Sequence, residues 1–319
     1  MRLYKKAAAC LLTAAMAISM LTACGGGGTG GNGGSTGGST LPDDSNQIVL
    51  PDPGGGAGGG AGGGEGTETK PTKTPIAVNS SKLAQFREKY AGATEFYLEA
   101  QSVEYGKAGS AEDSTDGFVA VKDGNVYMKA IQNQQLVEEL MLKEDGYNND
   151  YLLFSDSKVA VRASSYSSQN DDNISLGIFI ADTLPDLMWS TEVKVGPTKY
   201  YAEVYNAYSC EFTTCFTPDG KPVYRFVREL NEKQLESATL YKTIQAGSGT
   251  SKGLCRMPDG FKTYSYDFRN KTLTDVNGNM FTIETNDKGD VTSVKDNTGK
   301  DVSDDLKWAY DFYKAMSGR

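Results

Sequence analysis

Acid-base and nucleophilic chemistry in a protein most often turns on imidazole, and this chain of 319 residues contains no histidine. Ser-His-Asp and Cys-His sites are thereby excluded, and so are most transition-metal sites. Carboxylate-only or Ser-Lys chemistry survives that exclusion, yet nothing in the sequence gathers either at one place. Of the five cysteines, Cys210, Cys215 and Cys255 lie in the body of the chain. If Cys210 to Phe216 is a strand, Cys210 and Cys215 point to opposite faces. A bridge from either to Cys255 and free buried thiols are then both open. The stretch Asp275-Val276-Asn277-Gly278-Asn279 has the composition of a calcium loop, but an EF-hand requires Gly at the sixth position and Glu at the twelfth. Met280 and Asn286 stand there instead, so a hairpin turn is expected. The acidic groups Glu112 to Asp116 and Asn170 to Asp172 read as solvated loops. No catalytic residue, metal or other cofactor is expected.

The eighteen tyrosines carry more information. In "KYYAEVYNAYSCEF", strand alternation places Tyr201, Glu203, Tyr205, Ala207 and Ser209 on one face. Tyr200, Ala202, Val204, Asn206, Tyr208 and Cys210 fall on the other. Aromatics on both faces imply that one packs in the core while the other is covered by a helix or lines a groove. Leu184, Met188, Trp189, Tyr201 and Tyr205 are the residues expected to line such a groove.

These side chains must be held by a β-rich frame. Ser80 and Ser81 offer an N-cap, and Leu83, Phe86 and Tyr90 recur at helical spacing, so a short helix opens the domain and ends near Gly92. Short alternating runs follow: Glu95 to Glu104, a hairpin in "GFVAVKDGNVYMKAI" turning at Asp123 to Asn125, then "LVEELMLKE", "DYLLFS" and "KVAVRAS". The apolar segment Ile174 to Ser190, interrupted at Pro185, reads as one or two short helices buried against the sheet. A second set of strands runs from Lys199 to Ala246, and "MPDGFKTY" closes the region. Residues 265–319 read as a hairpin or meander with turns at Asn277-Gly278, Lys288-Gly289 and Thr298-Gly299. A last helix, capped by Ser303, carries the stripe Leu306, Ala309, Tyr310, Tyr313 and Met316. The fold class expected is mainly β with a few helices (α+β): a curled antiparallel sheet or half-barrel with a helical insert across its concave face.

The N-terminus places the domain. Arg2, Lys5 and Lys6 precede an apolar run from Ala7 to Met20, an export-signal pattern too short to span a bilayer. Leu21-Thr22-Ala23-Cys24 resembles the bacterial lipobox. That resemblance implies cleavage after Ala23 and a diacylglycerol on Cys24, giving an extracytoplasmic protein held to the cell membrane by its lipid. From Gly25 to Gly66, 20 of 42 residues are glycine, a composition that cannot bury a core. Residues 24–78 thus read as lipidated cysteine plus flexible tether, averaging about 40 Å and stretching to about 170 Å. Three basic residues leave with 1–23, so the mature chain has 29 basic against 41 acidic residues, a net charge of −12. Nucleic acid is a poor partner for such a surface.

The order of elements over residues 80–264, with the "DGNVYMKA" hairpin, the insert around Leu184 to Trp189, the "FTPDGKPVYRF" hairpin and "MPDGFKTY", resembles the LolA/LolB-like lipoprotein carriers. That resemblance implies an open barrel with helices across its concave side; it assigns no functional residue. The expected function is non-enzymatic: a membrane-anchored domain, 79–264, holding a hydrophobic or lipidic ligand between sheet and insert, with 265–319 packed on it. The alternative is a surface interaction or envelope-assembly module recognising protein or wall polymer through its outer face. An enzyme using carboxylates alone is the third reading.

Overall fold

The computed structural model describes residues 73–317, apart from 106–110, 133–134, 168–175, 177–183, 208 and 232–234. The export signal, Cys24, the glycine tether and Asn170 to Asp172 lie outside the described residues.

A first meander follows helix α1 (Lys82–Tyr90): β2 (Glu95–Tyr105), β3 (Ala111–Lys122), β4 (Asn125–Gln132), β5 (Gln135–Glu144), β6 (Tyr147–Phe154) and β7 (Val159–Ser167). A second comprises β8 (Met188–Val195), β9 (Thr198–Ala207), β10 (Cys210–Phe216), β11 (Pro222–Glu229) and β12 (Leu235–Ala246). The two join side by side, because β12 pairs antiparallel with β2, Thr239 opposite Ser102. A short strand, β1 (Thr74–Ile76), lies against β8, so the sheet takes in residues that the composition had assigned to the tether. After β12 the chain continues into β13 (Lys262–Asp267), β14 (Thr272–Asp275), β15 (Met280–Thr285), β16 (Val291–Asp296) and helix α2 (Trp308–Ser317). The result is one 16-stranded sheet that does not close, with β1 and β16 at its two ends. Every pairing is antiparallel except β7 with β13, where Val161 lies opposite Tyr264. A parallel pair needs a long connection, and here the whole second meander provides it.

One face of β2 to β5 and β9 to β11 packs beneath α1; we call it the inner face. Ser81 caps that helix, accepting a hydrogen bond from Ala84 N at 3.0 Å, and Leu83 and Phe86 are its buried anchors. They join Phe96, Leu98, Val119, Met128, Met141, Phe212, Phe216 and Val227 in one apolar cluster, together with Leu176 from the connection between β7 and β8. The opposite, outer face over β2 to β7 is covered by the loop 247–261. Glu95 pins that loop by accepting from Gly249 N (3.0 Å), Ser251 N (3.1 Å) and Ser251 Oγ (2.6 Å). Cys255, Leu254, Met257 and Phe261 seal against Tyr97, Tyr127, Leu140 and Leu153. At the far end α2 closes a separate cluster, Trp308 and Phe312 meeting Leu152, Val161, Tyr264 and Leu273. Gly117 has a packing reason: a Cβ there would come within 2.3 Å of Lys129 O, so β3 and β4 approach too closely for any side chain.

Several sequence expectations are corrected. Met188 to Ser190 open strand β8 instead of ending a helix, since "MWSTEVKV" alternates and pairs with β9. "YNAYSCEF" is a hairpin and not one strand: Cys210 pairs back with Ala207, with Ser209 in the left-handed region (φ 64°). The turn restarts the alternation, so Cys210 joins the inner-face cluster with Tyr205 while Cys215 faces outward. Asp113 to Asp116 lie in β3 and not in a loop, because β2 supplies an eleven-residue partner. Ser303 does not cap the last helix. Its hydroxyl accepts from Val294 N at 2.9 Å, and α2 begins five residues later. "MPDGFKTY" does not close the first region but leads into the parallel strand β13. The turns at Gly278, Gly289 and Gly299 are as expected. Asp275 accepts from Asn277 N and Asn279 N, both at 2.9 Å, which makes the would-be calcium loop a hairpin turn.

Candidate ligand site on the inner face

Strand register places one polar position from each strand in a single row across the inner face. Reading along the pairings, the row runs Thr74, Ser190, Glu203, Thr214, Arg225, Thr239, Ser102, Thr115 and Gln132, from β1 through β8 to β12 and on through β2 to β4. Its middle, Glu203 to Thr115, is buried. Apolar rows flank it, with Tyr205, Phe212 and Val227 on one side and Phe216, Ala100, Gly117 and Ala130 on the other. Isolated polar groups in such a setting carry a desolvation cost unless they are partnered, so where each one turns is informative.

Glu203, 0% exposed, turns to α1. Its carboxylate accepts from Lys82 N (2.6 Å) and Leu83 N (2.9 Å), two of the first-turn amides that a helix leaves without intrahelical partners, and from the Tyr201 hydroxyl (3.0 Å). A sheet carboxylate thus seats the helix N-terminus, with the favourable sign for the helix dipole. Burial, and then the Glu203 charge, push the Tyr201 phenol up to about 12.

Arg225, 1% exposed, occupies the centre of the row. One guanidinium nitrogen donates to the Tyr205 hydroxyl at 3.2 Å, and the guanidinium carbon stands 4.9 Å from the centre of the Phe212 ring, which itself stacks on Tyr205. Thr214 lies directly opposite on β10 and Thr239 on β12, the latter sharing a hydrogen bond with Ser102 (2.9 Å). Two buried hydroxyls on this face, those of Thr214 and Ser237, have no hydrogen-bond partner among the described residues, while the Tyr241 hydroxyl meets the Arg225 guanidinium. Burial raises the Tyr241 phenol, and the nearby Arg225 charge pulls it the other way.

The sequence-selected lining residues divide. Met188 and Tyr205 are buried in the inner-face cluster and Leu184 packs against it. Tyr201 stands at the rim, 40% exposed, with Lys82 Nζ 4.9 Å above its ring. Trp189 is on the other face, opposite Val204, because it follows Met188 in a strand where a helix was expected. Glu203 was legible as a neighbour of the tyrosines. Arg225 and the hydroxyls were missed; the available signal was a charged residue on the apolar phase of "PVYRFVRE", between Val223 and Val227.

The remaining candidates for chemistry are dispersed. Cys210, Cys215 and Cys255 are free, buried and in three different clusters. Burial first of all raises their thiols, to about 12 for Cys210 and Cys215 and about 11 for Cys255. Among the described residues no three acidic, cysteine or histidine side chains converge on a point where a metal would sit, and no helix is long and apolar enough to cross a membrane.

No family model and no curated protein matches this chain's sequence. Among solved structures it is similar to an uncharacterized conserved protein from Thermus thermophilus. The identity is 9% over 58% of this chain and 97% of that one, with a TM-score of 0.35. It is also similar to MucB in its complex with MucA(peri), at 14% identity over 63% of this chain and 74% of that one, with a TM-score of 0.26.

Proposed function

We propose that this chain is a lipid-anchored extracytoplasmic protein of the LolA/LolB-like kind, whose sheet receives a hydrophobic or lipidic ligand on its inner face and catalyses nothing. The observation that supports this reading is a mismatch of sizes. From β8 to β5 the sheet is nine strands across, about 38 Å at 4.8 Å per strand. The helix laid on it is about 14 Å long and anchors itself with Leu83 and Phe86. Leu176 and Leu184, from the connection between β7 and β8, supply further cover. A long apolar face covered in part by Leu176 and Leu184, which belong to no strand of the sheet, can exchange that cover for an acyl chain. A strand or helix built into the hydrogen-bonded frame could not be displaced so cheaply.

The test uses the Cys24→Ala form of the whole chain, so that no anchor lipid confuses the result. It should appear in the medium rather than on cells, and organic extraction followed by mass spectrometry should recover a non-covalent lipid near one per protein. Retention on cells contradicts the anchor. An empty protein that gains no lipid from host membranes contradicts the carrier reading. That outcome favours the interaction module, for which the facing pair Ile131 and Leu136, each more than half exposed on the outer face, is the observation in support.

A further inference from the structure

The inner face does not stop at β5. Met141, buried in the cluster beneath α1, lies opposite Asp150 of β6, and alternation puts Asn148, Asp150 and Leu152 on that same side. Leu152 belongs to the cluster that α2 closes, so both helices cover one face and β6 runs along the seam between their clusters. At that seam Asn148 is 0% exposed, and neither its amide oxygen nor its amide nitrogen has a hydrogen-bond partner among the described residues. Thr214 and Ser237 leave a single hydroxyl unmet; here it is a whole amide, with donors and an acceptor. Buried polar atoms are partnered in the great majority of cases, and an unmet one costs stability. Lys143 stands directly opposite on β5 but reaches the turn between β3 and β4, where a Cβ on Gly124 would come within 2.6 Å of its Nζ. On its other side Asn148 faces Tyr166 of β7. That strand ends at the next residue, Ser167, where the connection carrying Leu176 and Leu184 begins. The unmet amide therefore lies where the exchangeable cover leaves the sheet.

We propose that the Asn148 amide is the recognition point for an uncharged, hydroxyl-bearing head of an amphiphile, whose chain runs past Met141 onto the apolar face beneath α1. The proposal rests on the hydrophobic-ligand reading above and names the head group. A hydroxyl both donates and accepts, so adjacent hydroxyls can meet the oxygen and the nitrogen of the amide together. Met141 is the diagonal cross-strand neighbour of Asn148, about 7–8 Å away. A chain attached to a head at Asn148 thus reaches apolar surface at once. The acidic neighbours set the charge. Asp150 and Glu139 are 5% and 8% exposed on the same face, and like charge disfavours a carboxylate or phosphate head beside them.

The experiment titrates the delipidated Cys24→Ala chain by calorimetry at about pH 7.5, where a carboxylic acid is ionised, with glycerol monododecanoate, methyl dodecanoate and dodecanoic acid. The glycerol ester is expected to bind about tenfold or more tighter than the methyl ester, although the methyl ester is the more apolar. The acid should also bind more weakly than the glycerol ester. Asn148→Leu should bring the glycerol ester to the affinity of the methyl ester and leave the methyl ester unchanged, which shows the face intact. The same substitution should raise the urea midpoint, because it removes an unmet amide. A lowered midpoint gives Asn148 a structural role and overturns the proposal. Equal affinities for the two esters in the parent protein, or a preference that survives Asn148→Leu, overturn it and leave the carrier reading standing. An acid bound as tightly as the glycerol ester overturns the uncharged head. Failure of all these probes to bind overturns the carrier reading as well.

Discussion

Glu203 shows how a single side chain decides where a helix sits. Fully buried, it gives both oxygens to the first turn of α1, so Glu203→Ala leaves two amides and the Tyr201 hydroxyl without their acceptor. The expected loss is about 2–4 kcal/mol in urea unfolding, with Glu203→Gln losing less because an amide oxygen still accepts. A loss below about 0.5 kcal/mol would contradict this role. The cysteines give a second check at the same scale. A thiol raised from 9 to about 12 carries about a thousandfold less thiolate near neutrality. Cys210, Cys215 and Cys255 should therefore resist a thiol reagent at about pH 8 until the protein is unfolded, and then all three should react. The sign for stability is the same for each. Folded values above unfolded ones mean that the stability they allow is present below about 9 and is lost as pH rises toward 11 and 12. At this scale the sequence showed the tyrosine faces and the parity of Cys215 but not Arg225. Its environment is made by β10, β12 and β2, and no local pattern announces which strands will be neighbours.

At the scale of elements, alternation and turn residues located nearly all of the first meander. Asp123-Gly124 carries positive φ at both positions, as a two-residue hairpin turn requires. Where turns lack Gly, Asn or Asp the reading failed. The sequence between Ala207 and Cys210 contains none of them, and the missed turn, with Ser209 at φ 64°, inverted the face assigned to Cys210. β8 was missed for a different reason: its first residues continue an apolar run whose period does not separate a buried strand from a helix. The loop 247–261 has no periodicity at all, and its place on the outer face follows from Glu95. Hydrogen bonds from Ser251, first its hydroxyl and then its amide, hold the Glu95 carboxyl below its ordinary value of 4.5, opposed in part by burial. Its contribution is complete above that value and falls away as pH drops through the lowered one. Glu95→Gln is expected to speed tryptic cleavage at Lys252 and Arg256 by about tenfold at neutral pH. Acidification below about 4.5 should loosen the loop of the parent protein in the same way, read by hydrogen exchange. An unchanged cleavage rate would show that the apolar contacts of Cys255 and Met257 hold the loop unaided.

For the whole molecule, the sequence supported a mainly β domain with a helix at each end, and the structure makes one sheet of it. Two pairings carry that unity. β12 with β2 joins the meanders, and β7 with β13 adds the C-terminal strands in parallel, so that residues 265–317 extend the frame rather than hang from it. Neither pairing has a local signature, because both join strands more than 90 residues apart. The account's central claim is that the inner face, and not the outer, receives a hydrophobic ligand. The direct measurement is photocrosslinking of the Cys24→Ala chain with a diazirine-bearing fatty acid, followed by peptide mapping. Labels on α1, on Leu184 and Met188 and on the inward residues of β9 to β12 are the expected result, suppressed by excess unlabelled acid. Labels confined to the outward pair Ile131 and Leu136, or spread over the surface without competition, would contradict it.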